Sequence, residues 1–408
     1  MKKVLFLIAI LMSIPVSVWA QTPSPNPPKG MPLPAPPSLS ANSYILVDFN
    51  SGRVLVESNP DMQVEPASIT KLMTSYVVFH ELNDGNITLE DKVPVSEKAW
   101  RTEGSRMFIE PNMEVTVEQL VKGMVIQSGN DASVALAEYL GGSEEAFAGL
   151  MNLYAEQLGM TKSHFMNATG LPDEQHYTTA RDVATLSKAL IRDFPEYYRW
   201  YSEKEYSFNE IRQHNRNNLL WRDPAVDGLK TGHTASAGYC LAASAKRDGM
   251  RLISVVLGSN SEASRVSESQ TLLNYGFRFF ETVQLYKAGQ ELATGKVWKG
   301  EAEQVMLGVD EELFVTIPRG RYDDLDAQVE MRPELIAPLA QGEEVGAVVI
   351  SIEGDEIATR RLVALESVEE DGFFGRSWDG MTMWFGGLFG DDEGDEDEKK
   401  SKSEADPE

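Results

Sequence analysis

Two strand patterns stand at opposite ends of a long helical stretch, and this constrains the fold more than any other feature of the chain. Tyr44 to Phe49 and Val54 to Glu57 flank Asn50-Ser51-Gly52, a hairpin signal. Leu229 to Ala245 and Met250 to Gly258 form a second strand pair around Arg247-Asp248-Gly249. Between them the spacing is helical: Val117, Leu120, Val121, Met124 and Val125 share one face. Thr179 and Asp182 form a capping box ahead of Val183, Ala184 and Leu186. A parallel sheet would interleave strands with helices. Here strands come first, then helices, then strands. The expected class is α/β (α+β in arrangement), an antiparallel sheet flanked by helices.

The pattern changes after about Glu281. Short strands and turns follow, among them Leu313 to Ile317, Gly346 to Ile352 and Arg361 to Leu365, and they predict a small C-terminal all-β domain. At the other end, Lys2 and Lys3 precede the apolar run Val4 to Ile14, and Val18-Trp19-Ala20 fits a small-x-small cleavage site. This predicts a signal peptide over residues 1–20, too short to span as a helix, and an exported mature chain. Residues 21–38 are crowded with proline and read as a stiff linker. The folded parts are then expected at 39–283 and 284–368.

Charge and cysteine content narrow the chemistry. The formal net charge of −26 argues against a nucleic-acid partner, which needs clustered Lys and Arg. Part of that charge is local, since Asp391 to Glu408 holds ten acidic residues against three lysines. The acidic tail, 391–408, reads as disordered. Cys240 is the one cysteine, so an exported chain has no internal disulfide, and its apolar neighbours make it a small core residue. His80, His164, His176, His214 and His233 are scattered, with no metal-ligand spacing, so neither a metal nor a cofactor is expected.

Three short motifs carry the candidate chemistry. Ser68-Ile69-Thr70-Lys71 follows Pro66 and opens an apolar helix in which Ile69, Leu72, Met73 and Tyr76 keep helical spacing. The i,i+3 separation puts Lys71 on the face of Ser68. A serine hydroxyl needs a base, and a lysine serves once burial or neighbouring cations depress its pKa. A helix N-terminus adds N–H groups for a developing oxyanion. Ser128-Gly129-Asn130 sits at a corner between the helix ending at Gln127 and the alanine-rich run Asp131 to Leu140, where a hydroxyl and an amide can point into a cleft. Lys230-Thr231-Gly232 heads an apolar strand. There the lysine can hold an anion, the threonine can donate to a carboxylate, and the glycine lets a peptide lie along the strand edge. Each motif alone reads as readily as ordinary structure: a helix start, a capped corner, a hairpin end.

Their order and context resemble the serine penicillin-recognising enzymes. More closely, the chain resembles the low-molecular-mass penicillin-binding proteins that are D-alanyl-D-alanine carboxypeptidases. The resemblance runs from about Ser43 to Phe374. It includes Pro66 to Tyr76, Gln127 to Ala132, Asp227 to Thr234 and Gly276 to Thr282. It implies a penicillin-binding-protein/β-lactamase-like transpeptidase fold. It also implies that Ser68 attacks the carbonyl between two terminal D-alanines of a peptidoglycan stem peptide, with Lys71 as base. Ser128 would relay a proton to the leaving D-alanine, helped by Lys71 and Lys230. The N–H groups of Ser68 and His233 would form an oxyanion hole. Thr231 and Arg265 would hold the terminal carboxylate, and Asn130 the acyl-side amide. β-Lactams, mimics of the dipeptide, would acylate Ser68.

A β-lactamase would share the motifs but needs a glutamate-positioned water, for which only Glu174 lies in the region Asn167 to Asp182. A cross-linking transpeptidase would use an amine in place of water, and a non-catalytic penicillin sensor would carry broken motifs. Near the end, Phe374, Trp378, Met381, Phe385 and Leu388 form an apolar stripe at helical spacing. It predicts an amphipathic anchor helix over 371–390 lying on a membrane surface, as in this family. Its polar side is acidic, so binding would rest on apolar burial. The expected location is the periplasmic face of a bacterial inner membrane.

Overall fold

The computed structural model describes residues 33–371. The signal peptide, the linker up to residue 32, the anchor segment beyond Asp371 and the acidic tail lie outside the described residues. Among the described residues no helix is long and apolar enough to cross a membrane.

The N-terminal hairpin and the later strands meet in one five-stranded antiparallel sheet. Its strands are β1 (Ser43–Asp48), β2 (Val54–Ser58), β3 (Val226–Thr234), β4 (Gly238–Arg247) and β5 (Met250–Ser259). The order across the sheet is β2-β1-β5-β4-β3, with Tyr44 opposite Val256 where the two ends of the chain join. The stretch Leu229 to Ala245, expected as one strand, is two. Thr234 Oγ1 accepts from the Ala237 N–H at 2.9 Å, and Gly238 takes a φ of +66°, so the chain reverses there. The result is a three-stranded meander in which β3 is an edge.

Both faces of the sheet are covered, which is why its strands are apolar at successive positions and not only at alternate ones. Ile45, Ile253, Val255 and Leu257 face the helical core. Leu46, Leu252 and Val256 pack with Val266, Leu272 and Leu273 of the helix Glu262–Phe279. On the first face lies α1 (Lys71–Asn83), buried from Lys71 to Phe79 on every side, as befits a central helix. Next come α2 (Val117–Lys122), α3 (Asn130–Gly141) and α4 (Ala180–Asp193). The amphipathic stretch ending at Gln127 is α-helical only to Lys122 and then widens into a π-helical turn, Gly123–Gln127. The capping box expected at Thr179 is half formed. Thr179 Oγ1 accepts from the Asp182 N–H, but the Asp182 carboxylate is taken by the Lys162 N–H and the Ser163 hydroxyl.

The all-β region begins as the helix Glu262–Phe279 ends. Strand Phe280–Tyr286 pairs with Leu313–Pro318, and the expected division at 283/284 falls inside it. A six-stranded sheet completes the region around Val297, Leu307, Val348 and Ile350. A hydroxyl and a guanidinium join it to the β1–β2 hairpin: Thr282 donates to Asp48 at 2.7 Å, and Arg53 donates to the Thr316 carbonyl at 2.6 Å. The end of the proline-rich segment also rests on the body, where Tyr275 donates to the Pro34 carbonyl at 3.0 Å.

Candidate active site

The nucleophile turn is built from strained and close-fitting backbone. Ala67 has a φ of +48° and leads into a 3-10 turn, Ala67–Thr70, that feeds α1. This stands Ser68, half-buried, at the helix start beside the edge strand β3. A Cβ on Gly232 would come within 3.0 Å of the Pro66 carbonyl oxygen, so glycine is what lets the strand approach. Below the turn, Gly170 has a φ of +84°, and a Cβ there would overlap the Ala67 carbonyl oxygen at 1.8 Å. Ser128, at the end of the π-helical turn, is also left-handed, with a φ of +70°. Non-glycine residues held in this region mark sites where the surroundings impose the conformation.

Lys71 is fully buried and makes three contacts: 3.0 Å to Ser68 Oγ, 2.7 Å to Asn130 Oδ1 and 2.6 Å to the Thr169 carbonyl. The identity of these partners sets the direction of the amine. The Thr169 carbonyl can only accept. Asn130 Nδ2 donates to the Glu103 carbonyl at 2.6 Å, which fixes Oδ1 as the atom facing Lys71. A neutral Lys71 therefore spends both N–H groups on these acceptors and turns its lone pair to the Ser68 hydroxyl. Burial favours that neutral form and brings the Lys71 pKa down to about 7; the Asp131 charge opposes the shift and Arg216 adds to it.

Lys230, also buried, donates to Ser128 Oγ and to the Thr231 carbonyl, both at 2.9 Å. Burial first, then the charges of Lys71, Arg216 and Arg265, push its ammonium well below the usual lysine range. The three motifs thus converge on one cleft of about 600 Å³, lined by Ser68, Ser128, Arg216, Thr231, His233 and Arg265 among others. Arg265, buried, donates to the Gly232 carbonyl at 3.2 Å and stands over the Tyr239 ring, while its Nε has no partner. Such a cleft, with a nucleophile, a neutral amine, a second hydroxyl–lysine pair and a guanidinium, suits acyl transfer on an anionic peptide.

Sequence profiles agree with this chemistry. The family described as D-alanyl-D-alanine carboxypeptidase matches residues 31–261, and the penicillin-binding protein 5 C-terminal domain matches residues 280–370. The chain belongs to the D-alanyl-D-alanine carboxypeptidase family. It is 49% identical over 365 residues to the D-alanyl-D-alanine carboxypeptidase DacC of Escherichia coli (strain K12), covering 86% of this chain and 91% of that relative. The crystal structure of penicillin binding protein 5 from Haemophilus influenzae is similar at a TM-score of 0.80 and 44% identity, covering 82% of this chain and 99% of that one. Penicillin-binding protein D2 from Listeria monocytogenes, solved in an ampicillin-bound form, is similar at a TM-score of 0.55 and 31% identity over 59% of this chain and 98% of that one.

Within this carboxypeptidase the supporting groups were not singled out by the motifs. Asp131 is buried and accepts from the N–H groups of Met107, Phe108 and Ile109 at 3.0, 2.9 and 3.3 Å. It holds the loop whose Glu103 carbonyl orients Asn130. Its position directly after Asn130 was its one signal. The loop Met166–His176 supplies the Thr169 carbonyl, and a backbone acceptor leaves no trace in residue identity. Asn167 Oδ1 folds that loop on itself, accepting from the N–H groups of Thr169 and Gly170 at 3.1 and 2.8 Å. Glu174 is exposed in the same loop, and what reaches Lys71 from here is the Thr169 carbonyl. His233 is exposed, and its ring lies over Tyr239 with centroids 4.1 Å apart. No cluster of metal-ligating side chains occurs among the described residues.

Proposed function

We propose that this carboxypeptidase removes the terminal D-alanine from peptidoglycan stem pentapeptides through an acyl-enzyme on Ser68. The observation that carries the reading is the buried Lys71, 3.0 Å from Ser68 Oγ, with its other contacts to two acceptors. Lys71 takes the hydroxyl proton as Oγ bonds to the carbonyl carbon of the penultimate D-alanine. The oxyanion is received by the N–H groups of Ser68 and His233. The C–N bond then breaks, and Ser128 gives a proton to the departing amine and is resupplied through Lys230 and Lys71. Thr231 and Arg265 hold the terminal carboxylate. Asn130 holds the acyl-side amide with the N–H that Glu103 leaves free. Water then cleaves the ester and restores Ser68. A β-lactam presents its strained amide to the same hydroxyl.

The direct test is incubation of a D-Ala-D-Ala-terminated peptide with purified protein. Free D-alanine is expected, and benzylpenicillin is expected to leave a covalent adduct that peptide mapping places on Ser68. No D-alanine, or an adduct elsewhere, would remove the reading.

The apolar stripe Phe374, Trp378, Met381, Phe385 and Leu388 supports a second part of the proposal. The exported protein lies on the periplasmic face of the inner membrane, held peripherally through residues 371–390. Truncation before Phe373 is expected to move it from the membrane fraction to the soluble one. A full-length protein that is already soluble would contradict the anchor.

A further inference from the structure

The Lys71 lone pair is aimed by two acceptors, and one of them, the Thr169 carbonyl, belongs to a surface loop. Something must hold that loop to the nucleophile turn. His176 closes it. The ring is buried, 2% exposed, and both nitrogens are used. Nδ1 lies 3.3 Å from the Met166 backbone nitrogen, and Nε2 lies 2.9 Å from Thr70 Oγ1. The Met166 N–H can only donate, so Nδ1 is the acceptor and Nε2 carries the proton. Nε2–H therefore donates to Thr70, the residue next to Lys71. One ring thus joins both ends of the loop Met166–His176 and fastens them to the turn that carries Ser68 and Lys71. Thr74 Oγ1, one turn further along α1, donates to the Ala168 carbonyl at 2.7 Å on the same side.

We propose that His176, as the Nε2–H tautomer, is a positioning residue for acyl transfer: it pins the Met166–His176 loop to Thr70 and so holds the Thr169 carbonyl against Lys71. The proposal rests on Lys71 being the base, as read above. A charged imidazolium would set an Nδ1–H against the Met166 N–H and break the clamp. The surroundings keep the ring neutral: burial brings its pKa down to about 4, against a smaller upward pull from Asp173, with His164 and Lys71 adding to the depression. Beside burial, the Lys71 pKa is raised by Asp131 and lowered by Arg216, and neither of these groups touches the clamp.

Two measurements test this. In the folded wild type, ¹⁵N chemical shifts of His176 are expected to report the Nε2–H tautomer unchanged from pH 8 to pH 5; an Nδ1–H tautomer overturns the proposal whatever the base is. The second is the rate of penicillin acylation against pH. His176→Phe keeps the ring volume and removes both nitrogens. Acylation is expected to fall about 10- to 100-fold, with the midpoint of the rising pH limb displaced and KM for peptide little changed. His176→Gln, whose amide reaches Thr70, is expected to recover most of the rate, and His176→Asn, which cannot reach it, is not. Thr70→Val combined with His176→Phe is expected to be no slower than the slower single variant. A His176→Phe protein that acylates like wild type, a Gln variant no better than Asn, or fully additive losses overturns the proposal. A purely structural histidine would lower Tm and leave the acylation limb in place. A wild type with no rising limb faults the base assignment instead, and is distinguishable from these results.

Discussion

Lys71→Met is expected to lower D-alanine release by about 10³-fold, and adding Ser68→Ala to it is expected to lower the rate no further than Ser68→Ala alone. In the proposed mechanism nucleophile and base act as one unit, so their losses are not expected to add. Methionine, one atom shorter, keeps most of the unbranched apolar stem of Lys71 in a site already buried, so the core around α1 is retained. The same lysine fixes the pH dependence. Only its neutral form can take the Ser68 proton, and its pKa is brought down to about 7. The acylation rate therefore rises with pH, by roughly tenfold per unit on the acid side, and levels off above the midpoint. The measurement is the second-order acylation rate with benzylpenicillin from pH 5 to pH 9. A flat profile, or a Lys71→Met protein that still acylates at a comparable rate, excludes Lys71 as the base.

How far the sequence revealed this site depended on separation along the chain. Ser68 and Lys71 lie three residues apart on a helix start, and their 3.0 Å contact follows from helical geometry alone. Ser128 and Lys230 are 102 residues apart, and no local pattern joins them; only the resemblance to a known family did. The sheet was legible at its hairpins, because Asn50-Ser51-Gly52 and Arg247-Asp248-Gly249 are strong turns. The turn between β3 and β4 was missed because Thr234 to Ala237 holds none of the usual glycine or proline ahead of Gly238. The support behind Lys71 was the least legible. Thr169 acts through its carbonyl, which any residue would provide. His176 looked like one of five scattered histidines, since its partners, Met166 and Thr70, become neighbours only in the fold.

Asp131 gives the second large effect, and it joins stability to pH. Its carboxylate accepts from four backbone N–H groups, those of Met107, Phe108, Ile109 and Ala132. Phe108 has a φ of +67°, so the carboxylate also holds a backbone conformation that the loop would not keep unaided. Asp131→Asn puts an NH2 among donors and leaves two of these N–H groups without an acceptor. The expected cost is about 3–5 kcal/mol, read as a fall in Tm of about 6 °C or more. The second consequence runs through charge. Asp131 raises the Lys71 pKa against the effect of burial, so its loss lets that pKa fall below about 7. The base is then neutral at lower pH, and the acid limb of the acylation profile moves down the pH scale. The plateau also drops, because the loop that carries the Glu103 carbonyl no longer fixes Asn130 Oδ1 on Lys71. Both are measurable on one protein, by thermal unfolding and by acylation against pH at a temperature where the variant is folded. A limb that stays in place, or moves to higher pH, would show that Asp131 does not act on Lys71 electrostatically and is only a clamp for the loop.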